Sequence, residues 1–69
     1  MKHTLDPVAV QFGHNLRRLR SMAGLSQTEL GRRLGVSFQQ VQKYERGSNN
    51  VSVVTFHRLK SILGCELSL

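Results

Sequence analysis

Residues 27–46 read QTELGRRLGVSFQQVQKYER. Apolar Leu30, Leu34, Val36, Val41 and Tyr44 recur through this stretch, with Gly31 and Gly35 set among them. Two short helices packed at a steep angle need a small residue where they cross, which Gly31 supplies. Between them they need a left-handed backbone, which Gly35 tolerates because it has no Cβ. Ser26-Gln27-Thr28-Glu29 has the form of a capping box opening the first helix. Ser37 stands as N-cap of the second.

The pattern is that of a helix-turn-helix over 27–46, a motif whose second helix enters the major groove of DNA. At about 100° per residue, Val41 and Tyr44 fall together and define the buried side of residues 38–46. The opposite side presents Gln39, Gln42, Lys43 and Arg46, with Phe38 and Gln40 on the flanks. An amide carries donor and acceptor together and can pair bidentately with adenine, while lysine reaches guanine O6/N7 or a phosphate. A face of amides and cations without a carboxylate suits the floor of a groove. A plain solvated polar face is the competing explanation, and the spacing upstream weighs against it.

Working outward, glycines at 24, 35, 47 and 64 divide the chain into short helical segments. Asp6-Pro7 is an N-cap followed by proline at the first helical position, where the missing N–H costs nothing. Ser52 caps a fourth helix. The first helix carries Phe12, Leu16, Leu19 and Ala23 on one stripe, with Arg17, Arg18 and Arg20 largely off it. Gly13 weakens its N-terminal half by about 1 kcal/mol against alanine. Leu30 and Leu34 point inward from the second helix. The fourth offers Val53, Phe56, Leu59 and Leu63, leaving Val54 and Ile62 off the main stripe. Helices this short do not persist alone, so their apolar faces share one core.

The chain has 69 residues, enough for one domain near the lower limit for an unstapled core. Ten Lys/Arg against four Asp/Glu give a formal net charge of +6 and a pI near 10.9, a balance that favours a polyanionic partner. The absence of tryptophan and a single tyrosine give no stacking platform for single strands. Cys65 is the one cysteine, so an internal disulfide is excluded. His3, His14 and His57 are too scattered for a metal site. No cofactor is expected in so small a core, and no nucleophile–base pair or phosphate-cradling loop suggests an enzyme. No apolar run reaches membrane-spanning length and the N-terminus shows no signal-peptide character, so the expectation is a cytoplasmic protein with no membrane partner.

The stretch LRRLRSMAGLSQTELGRRLGVSFQQVQKYERGSNN resembles the helix-turn-helix of phage Cro and repressor proteins and their bacterial relatives (the XRE family). The likeness runs from about Leu16 through Leu63. It implies an all-α, compact four- to five-helix repressor-like domain occupying residues 1–69. It implies base contacts from Phe38, Gln39, Gln42 and Lys43, and phosphate contacts from Gln27, Ser37, Gln40, Ser48 and Asn49. It also implies a partly buried structural ion pair between Arg20 and Glu45. Phe38 departs from the family's usual polar residue; it either touches a thymine methyl or packs on the neighbouring helix.

A second departure lies at the end, where relatives carry a fifth helix and this sequence has only Cys65-Glu66-Leu67-Ser68-Leu69. Its alternation has the period of a half-buried strand. The expected partner is the same segment of a second copy, so residues 64–69 become a dimerisation tail. Val54, Ile62, Cys65, Leu67 and Leu69 are then the candidate dimer residues. The leading function is a repressor that binds a palindromic operator in double-stranded DNA as a homodimer. The ending TFHRLKSILGCELSL also resembles the small antitoxins that partner HipA-type kinases, which gives an alternative: an antitoxin that neutralises a toxin protein and autorepresses its operon.

Overall fold

A computed structural model describes residues 6–64 of the chain. Within them the fold is all-α: α1 (Pro7–Met22), α2 (Gln27–Leu34), α3 (Phe38–Arg46) and α4 (Val53–Leu63). Every start is capped as the sequence indicates. Asp6, Ser37 and Ser52 each accept a backbone N–H from the first turn, and Ser26 and Glu29 complete the reciprocal capping box. Such caps each contribute about 0.5–2 kcal/mol. Gly35 ends α2 with φ 84°, the left-handed turn that lets α3 leave at a steep angle.

Phe12 and Leu16 of α1, Leu30 and Leu34 of α2, Val41 and Tyr44 of α3 and Leu59 of α4 form one core. Each large apolar side chain moved there from water contributes roughly 1.5–3 kcal/mol. Phe56 closes the α4 side, its ring centroid 5.9 Å from that of Phe12. Helix α3 packs on both α1 and α2, while α4 rests on α2.

Two glycines permit this packing. A Cβ on Gly13 would lie 2.6 Å from the Tyr44 carbonyl oxygen and closer still to that of Glu45. The residue that weakens α1 as an isolated helix therefore lets it approach the last turn of α3. A Cβ on Gly31 would lie 2.6 Å from the Val36 carbonyl oxygen and 3.3 Å from that of Ser37. Gly31 thus makes room for the turn that leads into α3.

Three burial expectations are corrected. Ala23 is exposed, because α1 has ended at Met22 and the chain is turning away. Val53 is 83% exposed; it is the first residue of α4, one turn before Phe56 meets the core. Ile62 is packed against the core. The inward face of α4 takes Phe56, Leu59, Ile62 and Leu63, the wide apolar stripe usual for a helix on a globular core. The expected strand, with Cys65, Leu67 and Leu69, lies outside the described residues.

Candidate nucleic-acid interface

Helix α3 is held by its inner side and left open on its outer one. Val41 and Tyr44 are buried, while Gln39, Lys43 and Arg46 are exposed and Gln40 and Gln42 are half-buried. Phe38, the first residue of α3, is 43% exposed and stands outside the core cluster.

Glu45 is the one carboxylate on α3, and it is turned inward at 6% exposure. Arg20 meets it with two hydrogen bonds, Nε to Oε2 at 2.5 Å and Nη2 to Oε1 at 3.2 Å. The remaining guanidinium nitrogen, Nη1, donates to the Leu25 carbonyl at 2.9 Å. Burying a carboxylate is costly unless it is paired and hydrogen-bonded. Here Arg20 satisfies both oxygens, and Gln27 Nε2 donates a further bond to Oε1 at 3.0 Å.

The same Gln27 accepts from Gln42 Nε2 through its own Oε1 at 3.3 Å. A continuous chain of hydrogen bonds thus runs from Arg20 on α1 through Glu45 on α3 and Gln27 on α2 to Gln42 on the open side of α3. The motif spacing places each of these residues on the right helix. Nothing in the linear sequence links Gln27 to Gln42, since that contact depends on the angle at which α2 and α3 cross.

The other candidate residues sit around the ends of α3. Ser37 Oγ is occupied as the cap, accepting the Gln40 backbone N–H at 3.2 Å. Ser48 Oγ donates to the Lys43 carbonyl at 3.2 Å, and exposed Asn49 follows it in the loop to α4. On α2, Glu29 is held below its ordinary carboxylate value of 4.5, first by the Ser26 backbone N–H, then by the Ser26 hydroxyl and by Arg32 and Arg33. Arg17, Arg18, Arg32, Arg33 and Arg58 are exposed, adding positive charge beyond α3 itself. The outer side of α4 begins with two exposed valines. Val53 and Val54 are 83% and 63% exposed and line a shallow open groove with His57, Arg58 and Ser61.

Among the described residues no cluster of His, Cys, Asp or Glu could hold a metal ion. No described helix is long and apolar enough to cross a membrane.

The profile of the family described as "Helix-turn-helix domain" matches residues 11–69. An uncharacterized HTH-type transcriptional regulator of Sinorhizobium medicae is 40% identical over 63 residues, which are 91% of this chain and 45% of that protein. The chain spans about half the length of the curated relatives it matches. Among solved structures, the restriction-modification controller protein C.AhdI from Aeromonas hydrophila superposes with a TM-score of 0.79 at 41% identity, over 84% of each chain. The clp gene regulator ClgR from C. glutamicum gives a TM-score of 0.82 at 26% identity, over 90% of this chain and 80% of that one.

Proposed function

The chain belongs to the helix-turn-helix family of DNA-binding transcriptional regulators, and on that premise we propose that it represses transcription by occupying a palindromic operator as a homodimer. The observation that carries this reading is the inward turn of Glu45. With its only carboxylate buried against Arg20, α3 offers the outside nothing but amides, cations and Phe38. Gln39, Gln42, Lys43 and Phe38 read base edges in the major groove in this proposal. Gln27, Ser37, Gln40, Ser48 and Asn49 contact phosphates and fix the register.

One recognition helix reads only a few base pairs, too little to single out an operator among a genome's competing sites. A two-fold dimer reads two half-sites about 10 bp apart. In this proposal the exposed Val53 and Val54 of α4 supply an apolar surface for that contact, and residues 65–69 take part in it.

Selection of bound duplexes from a random pool tests the reading. The expected result is a palindrome with that spacing, bound with an affinity that falls steeply as salt rises. Equal binding to all sequences would overturn it. Deleting residues 65–69 should give a folded, largely monomeric protein with weak operator binding; a truncated protein still dimeric in sedimentation at micromolar concentration would move the interface to α4 alone. Co-purification of a kinase-like protein would favour the antitoxin reading instead.

A further inference from the structure

We propose that Gln27 is a positioning residue for sequence readout, locking the amide of Gln42 in one orientation through a chain rooted in the buried Glu45 carboxylate. The inference rests on the DNA-binding reading above and assigns Gln27 a task beyond a phosphate contact.

The argument is one of donor and acceptor inventory. A guanidinium only donates and an ionised carboxylate only accepts, so the direction of the first link, Arg20 to Glu45, is fixed. Glu45 Oε1 can receive Gln27 only through the NH2 end of its amide, at 3.0 Å. The oxygen of Gln27 then faces away, and Gln42 meets it with Nε2 at 3.3 Å. Rotating Gln27 by half a turn would set oxygen against carboxylate and NH2 against NH2, two repulsive contacts in place of two bonds. The orientation of both amides is therefore dictated by a charge on the far side of the motif.

An untethered glutamine in a groove can present either end to a base and so accepts several. Gln42 is half-buried, with one N–H committed to Gln27. It keeps Oε1 as an acceptor and its second N–H as a donor, in a fixed arrangement. The complementary base in the major groove is adenine, which offers an amine and an acceptor on one edge. Guanine and thymine offer only acceptors there and cytosine only a donor, so each matches one of the two groups. The even loss of binding expected of a mere phosphate contact at Gln27 gives way to a loss concentrated at one base pair per half-site.

The experiment compares base preference, position by position and at fixed salt, for the full chain and for Gln27→Met, Gln42→Ala, the double variant and Gln42→Glu, each checked for unchanged melting. Gln42→Ala should lower discrimination at one base pair per half-site by roughly tenfold. Gln27→Met should flatten the same base pair, and the double variant should lower it no further, because the two residues act as a unit. Gln42→Glu removes the donor to Gln27 and presents acceptors only, so the preference at that base pair should move to cytosine, whose amine a carboxylate accepts. Unchanged preference at that base pair in Gln27→Met, or a uniform loss at all positions in it, would overturn the proposal. If Gln42→Ala moves no position while Gln39→Ala moves another, the lock fails and the DNA-binding reading stands. If the unaltered protein enriches no sequence, both fall.

Discussion

The two ends of α3 are built for opposite tasks within nine residues. At its C-terminal end Tyr44 and Glu45 are buried, and their carbonyls press on the space left by Gly13. At its N-terminal end Phe38 and Gln39 are exposed, and the side-chain bonding recorded there is the Ser37 cap. One end fixes the helix and the other is free to meet a partner. Gln42 sits between them and belongs partly to each, open to solvent yet tethered to Gln27. The difference shows that a short helix can carry contact residues only if another part of it is anchored independently of them.

Breaking the anchored end should have the largest effect. Glu45→Ala strands Arg20 beside the core, and one-sided removal from a buried pair costs about 3–5 kcal/mol. A domain of this size holds roughly 3–10 kcal/mol in total, so the variant should melt more than about 10 °C lower. An unchanged melting temperature would show that the anchor lies elsewhere. Gly13→Ala attacks the same end from α1. Forcing a methyl against two backbone carbonyls should cost about 1–3 kcal/mol, outweighing the roughly 1 kcal/mol gained in helix propensity. A stabilised variant in thermal melting would mean that the two helices separate easily.

At the free end the readout changes from folding to binding. Gln39→Ala should leave melting within about 0.5 kcal/mol of the original and weaken binding to the selected duplex by roughly 1–3 kcal/mol. Loss of stability instead would erase the distinction between the ends. The smallest effect concerns the start of α2, which carries Gln27. Glu29 has its carboxyl pKa lowered in the fold, so the capping box adds stability above the ordinary value of 4.5 and loses it as pH falls through the depressed one. Glu29→Gln should remove that acid-side decline in melting temperature, and an identical pH profile for both proteins would count against the box.

The anchored end was the more legible in the sequence. Caps and the Gly35 turn are local signals, and Leu16, Leu30, Val41 and Leu59 follow from helical spacing. The same spacing misplaced Ala23 and Val53, because periodicity continues past the point where a helix ends or a facing partner begins. It also assigned Ile62 to the surface, because one stripe is narrower than the face α4 buries. The candidate contact residues could be named from the motif. The Gln27–Gln42 bond could not, since residues fifteen apart in sequence meet only through the crossing angle. Gly13 was readable as a local cost but not as the seat of α3.

The two glycine seats have a consequence for how such a protein can change. Gly31 takes the turn into α3, and Gly13 takes the carbonyls of its last turn, so backbone lies against helix at both ends. None of the outward-facing residues takes part in either seat. The mounting is therefore indifferent to the letters it displays: Phe38, Gln39 and Lys43 can be exchanged for another set without tilting the helix that holds them. On the proposed reading of those residues, new target sequences lie a few surface substitutions away, open to a lineage without first repairing its fold.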